Sequence, residues 1–149
     1  KNVLAAISAS DEVLLITMPT SPSIADVLKA KITAQRLGAK PIGVIINFVR
    51  EEKGEIRKDD IMKMLELPVL AAVPYDDEMR KSFMQENLAP VVMTKPGTPA
   101  AVAIQVAAAK LAGLPVQAEQ QQVGGVLSGF FGKLFGIFRG KPKTPAGAG

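Results

Sequence analysis

The sequence predicts an α/β fold: a parallel sheet with helices on both faces, followed by a linker and an amphipathic helix. Three observations carry that reading. Three apolar runs have the length and continuity of strands buried on both sides. Each is followed by a segment with helix-start signals. The last stretch, from residue 123 on, has basic residues and no acidic ones.

Taken in order, Asn2–Ser8 reads as a helix already under way at Lys1, so an N-terminal portion is expected to precede the chain. Glu12–Met18 is the first strand. Ser21 is the natural N-cap of the next helix, with Pro22 at its first position. Over residues 22–37, Ile24, Val27, Leu28, Ile32 and Leu37 recur at near-helical spacing, and Gly38 closes the helix. Pro41–Asn47 is the second strand. A charged loop from Arg50 to Arg57 leads to a helix over Asp59–Glu66. Pro68–Val73 is the third strand, halted by Pro74. Asp76, Asp77 and Glu78 open another helix, where acids suit the positive end of the dipole. Pro90–Met93 reads as a short extended piece. Thr98-Pro99 starts an Ala-rich helix that ends near Leu111, before Gly113.

Continuous apolar strands joined by helices form a parallel sheet through right-handed crossovers. Ligands of such sheets sit outside the carboxyl ends of the strands. Here that edge is made by Met18–Ser21, Asn47–Arg50 and Pro74–Asp77.

Composition narrows the chemistry. The chain of 149 residues has no Cys, His or Trp and one Tyr. That excludes disulfides, thiol nucleophiles, His relays and zinc sites of the Cys/His kind. Residues 1–122 hold 14 basic and 14 acidic side chains, and the net charge of +4 comes from Lys133, Arg139, Lys141 and Lys143. A neutral body lacks the many phosphate contacts on which duplex binding rests, so no nucleic acid partner is expected. No phosphate-cradling Gly-x-x-x-x-Gly-Lys-Ser/Thr string occurs: Gly132-Lys133 and Gly140-Lys141 lack the upstream Gly and the following hydroxyl residue. No catalytic or metal-ligating residue is therefore assigned.

Four segments in order resemble the MinD/ParA-type P-loop ATPases. These are Ala9–Asp26 (A-S-D-E-V-L-L-I-T-M-P-T-S-P-S-I-A-D), Gly43–Asn47 (G-V-I-I-N), Leu67–Asp76 (L-P-V-L-A-A-V-P-Y-D), and Pro90-Val-Val followed by Thr98–Ala103. The resemblance covers residues 2–139 and implies the C-terminal half of a P-loop NTPase-like sheet, the phosphate-loop lysines and the magnesium-binding Asp lying before Lys1. It implies that Asn47 reads adenine and that Pro74, with Tyr75 and Asp76, completes the base pocket of ATP or ADP (with Mg in the full-length protein). An Asn amide, with one acceptor and two donors, suits that edge. The family usually carries Arg after the Asn; here Phe48 follows it, with Arg50 two residues on. The resemblance further implies ATP-driven homodimerisation and a protein regulator of division or positioning machinery. The isolated chain is not expected to hydrolyse ATP.

Plainer roles compete for several residues. Asn47 also fits a strand end bonding to the turn. Asp76–Glu78 read as helix-start charges before catalytic carboxylates, and Ser21 as a cap before a nucleophile, since no His activates it. Arg50, Glu51, Glu52 and Lys53 read as a solvated loop, with partner binding second. Met62 and Met64 read as core or half-buried packing.

The end of the chain carries its own signal. Leu127, Phe130, Phe131, Leu134, Phe135 and Phe138 fall on one helical face, and four of the six Phe in the chain lie there. Lys133 and Arg139 lie off that face. From Val126 to Phe138 such a helix is about 20 Å long, too short for a hydrocarbon core of about 30 Å, so its expected place is flat in an anionic membrane interface. The expected organisation is 1–113 ATPase-domain portion, 114–122 polar linker, 123–141 membrane-targeting helix and 142–149 disordered tail. The basic amphipathic end favours the MinD branch, which cycles on and off the inner face of the cell membrane from the cytoplasm. The alternatives are a ParA-like partitioning ATPase and a non-enzymatic module that binds a membrane or a partner protein, with the helix docked on the body or on that partner.

Overall fold

The computed structural model describes residues 2–82, 84 and 90–115. The predicted amphipathic segment with Leu127, Phe130, Phe131, Lys133, Leu134, Phe135, Phe138 and Arg139, and the final tail, lie outside the described residues. Contacts divide the chain into two units, Lys1–Gln117 and Ala118–Gly149, and every described element belongs to the first.

These elements are α1 (Asn2–Ser8), β1 (Glu12–Thr17), α2 (Ser21–Arg36), β2 (Lys40–Val49), α3 (Lys58–Leu65), β3 (Val69–Pro74), α4 (Asp77–Ser82), α5 (Val91–Thr94) and α6 (Pro99–Leu111). The three strands form one parallel sheet in the order β1-β2-β3. Irregularities interrupt the register between Val13 and Leu14, between Val44 and Ile45, and between Ile46 and Val49.

The main core joins one face of the sheet to α2 and α3. Leu15, Val44, Ile46 and Val69 meet Ile24, Ile61 and Leu65, all buried. A smaller cluster of Ile7, Ala34 and Ala39 seats α1 beside Val13. Helix α6 packs against β3, and Lys110 Nζ donates to the Leu70 carbonyl at 2.6 Å. Cover is uneven: on the opposite face of β1, Ile16 is 59% exposed.

Helix ends follow the punctuation in the sequence. Gly38 takes φ +88 after α2, and the Ala39 amide reaches back to the Ala34 carbonyl at 3.0 Å, closing a left-handed cap. Gly113 (φ +68) repeats the device after α6, with Leu114 N bonded to Ala109 O at 2.9 Å.

Four expectations need correction. Ser21 is the first residue of α2 and not its cap; the N-cap is Thr20, in extended conformation and without a side-chain bond. Pro22 lacks an amide hydrogen, which leaves fewer donors for a cap to satisfy. Pro90–Met93 is not extended: Val91–Thr94 makes one helical turn, with Thr94 and Lys95 amides bonded to the Pro90 and Val91 carbonyls, and Val91 is buried. Met62 and Met64 are 39% and 52% exposed, because Ile61 and Leu65, four apart, take the core face of α3. In α2 the buried residues are Ile24, Lys31 and Ala34, while Leu28, Ile32 and Leu37 are exposed.

Candidate functional site

Strands β2 and β3 end side by side, with Val49 paired to Pro74. The residues after them therefore meet at the carboxyl edge of the sheet. The Tyr75 amide donates to the Val49 carbonyl at 2.8 Å, extending the ladder one step past β3. An open cavity of about 640 Å³ lies here, lined by Val49, Arg50, Glu51, Glu52, Ala72, Pro74 and Tyr75. Its lining combines the apolar Val49, Ala72 and Pro74 with the Tyr75 ring, the Arg50 guanidinium and the carboxyl groups of Glu51 and Glu52.

The Tyr75 ring is fixed from several sides. Its hydroxyl donates to Asp77 Oδ1 at 3.1 Å. Its centroid lies 5.7 Å from that of Phe48, with the planes tilted by 55°. The Arg50 guanidinium carbon stands 4.1 Å above its centre, a cation–π contact. Arg50 Nη1 is also 3.6 Å from Glu52 Oε1.

The loop that carries Arg50 is organised by Glu55. Its carboxylate accepts the Arg50 amide at 2.9 Å and the Glu51 amide at 3.0 Å. The Ile56 amide ties the loop to the Pro19 carbonyl, at the exit of β1. Two side-chain-bearing residues here sit in the left-handed region, Phe48 at φ +60 and Glu51 at φ +58. A bulky residue in that region is strained, and such strain gathers at binding sites.

Asn47 is not at the strand end, as expected from sequence, because β2 continues to Val49. Its Oδ1 accepts the Phe48 amide at 2.9 Å, which helps to hold the turn. Asn47 lies outside the lining of the cavity, whereas Pro74 and Tyr75 belong to it. Asp76 takes the helix-start role: Oδ1 accepts the Glu78 amide at 2.8 Å and the Met79 amide at 3.4 Å. Its Oδ2 is buried and, among the described residues, accepts no hydrogen bond of normal geometry. Burial works against ionisation of Asp76, but the Glu78 amide, the Thr98 hydroxyl and the amides of Met79 and Ala100 outweigh it and hold the carboxyl below its ordinary range.

Neighbouring charges behave alike. The Tyr75 hydroxyl and then Arg80 lower the Asp77 carboxyl, and Lys95 and then Lys81 lower that of Glu78. Asp77 in turn raises Arg80. The Lys95–Glu78 pair links α4 to the segment after α5.

Of the residues named from sequence, Pro74 and Tyr75 line this cavity, which lies at the carboxyl edge of the sheet. Sequence reasoning missed the pairing of Arg50 with Tyr75, whose signal was the adjacency of the two strand exits. The lining offers apolar side chains, one aromatic face, a guanidinium and carboxylate acceptors. Among the described residues no group of three Asp, Glu, His or Cys side chains stands together to hold a metal ion.

The AAA domain family matches residues 2–82. An uncharacterized ATP-binding protein of Methanocaldococcus jannaschii is 37% identical over 137 residues, covering 91% of this chain and 51% of that protein. The cell division ATPase MinD of Pyrococcus furiosus superposes with a TM-score of 0.69 at 25% identity, covering 75% of this chain and 46% of that one. The septum site-determining protein MinD of Pyrococcus horikoshii, solved with Mg-ADP, gives 0.62 at 27% identity over 69% of this chain and 43% of its own. The chain thus spans about half the length of these relatives. Among the described residues no helix is long and apolar enough to cross a membrane.

Proposed function

The chain belongs to the MinD/ParA-type P-loop ATPases, and from that premise we propose that it is the base-binding and membrane-anchoring half of an ATPase that cycles on and off a membrane. The carrying observation is the cavity between the β2 and β3 exits, lined by apolar side chains and the Tyr75 ring. It lies where open α/β sheets bind ligands. Residues Pro74 and Tyr75 would hold the base, with Asn47 fixing the turn beside it and Asp76 fixing the helix below it. The nucleotide supplies the switch: its triphosphate state favours a dimer, and hydrolysis releases it. The relative solved with Mg-ADP supports adenine nucleotide as the ligand.

The apolar series Leu127 to Phe138, with Lys133 and Arg139, supports the membrane half of the proposal. Six large apolar side chains gain at most about 1.5–3 kcal/mol each on full burial, and the interface gives only part of that. Basic residues add about 1 kcal/mol each on an anionic surface. Glycines within the helix cost up to about 1 kcal/mol each. One such anchor binds weakly; two in a dimer bind strongly through effective concentration. In relatives the named context is cell division and septum placement, and spatial positioning of that kind is the proposed role, with a protein regulator as partner.

The test is sedimentation with anionic and neutral liposomes, comparing the chain with a version ending at Gln122. Binding to anionic liposomes that needs the last 27 residues and weakens with salt is expected. Equal binding of the two versions to anionic liposomes refutes the anchor, since the last 27 residues then add nothing.

A further inference from the structure

The Tyr75 ring is a rigid platform with a movable cover. Its hydroxyl is bonded to Asp77 and its backbone to Val49, so the ring stays in place. Arg50 is different. Its backbone is held by the Glu55 carboxylate, while among the described residues its side chain meets an exposed pairing with Glu52 at 3.6 Å and the ring itself. The guanidinium can therefore swing away while the loop stays still.

At 4.1 Å from the centroid, the guanidinium fills the space that a stacked base needs. Flat rings pack at about 3.5–4.0 Å, so only one of the two fits on that face. We propose that Arg50 is the resident occupant of the base platform on Tyr75, displaced when a purine nucleoside stacks there, so that Arg50 sets the affinity of the site. The proposal rests on the base-pocket reading and adds to it the group that competes for the pocket. The strained backbone at Phe48 and Glu51 fits the same picture, since it brings Arg50 over the ring.

The single Tyr of the chain makes the test direct, because one set of tyrosine ring signals in a nuclear magnetic resonance spectrum reports on Tyr75 alone. The full chain is titrated with adenosine beside Arg50→Ala and Tyr75→Leu, with equilibrium dialysis measuring total binding and amide spectra checking the fold. Adenosine is expected to shift the Tyr75 ring signals, and Arg50→Ala to bind about two- to fivefold more tightly, the change that corresponds to an exposed cation–π contact. Tyr75→Leu is expected to lose most of the binding. Weaker binding by Arg50→Ala would overturn the proposal, since Arg50 would then hold the base; the base pocket itself would stand. Binding by dialysis without a shift at Tyr75 would also overturn it, placing the base elsewhere. No binding by any of the three chains would remove both the proposal and the pocket reading beneath it.

Discussion

Lys31 offers the sharpest energetic test of this fold. It is the one charged side chain in the buried set of α2, only 8% exposed, and its Nζ donates to the Leu65 carbonyl at 2.7 Å. That carbonyl ends α3, where orphan acceptors and the negative end of the dipole both favour a cation. A second contact, to Glu66 Oε2 at 3.3 Å, involves a carboxylate that is 82% exposed. The two contacts should differ in weight. A hydrogen bond from a charged donor contributes about 1.5–3 kcal/mol, and an exposed ion pair about 0–1 kcal/mol. Lys31→Met keeps most of the stem, removes the cost of burying the ammonium and leaves the Leu65 carbonyl unpaired; we expect a loss of about 1–3 kcal/mol. Glu66→Gln should cost no more than about 0.5 kcal/mol. Glu66→Gly should stabilise by about 0.5–1 kcal/mol, because Glu66 sits in the left-handed region at φ +51. Urea denaturation followed by circular dichroism measures all three. If Glu66→Gln loses as much as Lys31→Met, the ion pair and not the helix cap holds α3 to α2, and the reasoning fails.

Other perturbations have defined outcomes. Gly43→Ala would place a Cβ 2.9 Å from Leu70 Cγ and 3.2 Å from the Pro68 carbonyl, so a loss of about 1–3 kcal/mol is expected in the same assay. Asp76→Ala removes the cap of α4 and should cost about 1 kcal/mol at neutral pH. Because the folded state holds the Asp76 carboxyl below its ordinary 3.8, its contribution is complete above that value and is lost as pH falls through the lowered one; stability curves of the two proteins should converge there. Curves that stay parallel into strong acid would show that Asp76 contributes through shape and not charge. Ile16→Ser, at a position 59% exposed, should change stability by less than about 0.5 kcal/mol, and a loss of core size would mean that this face is covered in solution.

The elements were legible where one local signal decided them. Continuous apolar runs marked β1, β2 and β3, and Gly38 and Gly113 marked the ends of α2 and α6. Periodicity showed that α2 had an apolar stripe but not where its centre lay. The buried face is turned toward Lys31 and Ala34, because a helix C-terminus stands there to receive an ammonium group, and Leu28 and Ile32 are turned outward. Nothing local announces such an acceptor. Val91–Thr94 was misread for a similar reason: a Pro followed by two β-branched residues favours extension, and the burial of Val91 overrides that preference. The lining of the candidate site was half legible. Pro74 and Tyr75 follow from the strand end, but the Arg50 contact depends on two exits brought together across the sheet.

The exposed Ile16 has a consequence for how the chain finds its structure. In an ordinary half-buried strand, a slip of one residue exchanges apolar and polar faces and is rejected at once. In β1 the outward Leu14 and Ile16 are as apolar as the inward Val13 and Leu15, so a slipped β1 would be nearly as well buried. Its position must be decided at its ends. The Lys40 amide holds the Asp11 carbonyl at one end, and the Ile56 amide fixes the Pro19 carbonyl just past the other. The second of these spans 37 residues of chain and closes only after β2 and its loop are formed. The first strand of the sheet would then be the last to settle, and a loop far along the chain would arbitrate between its two alignments.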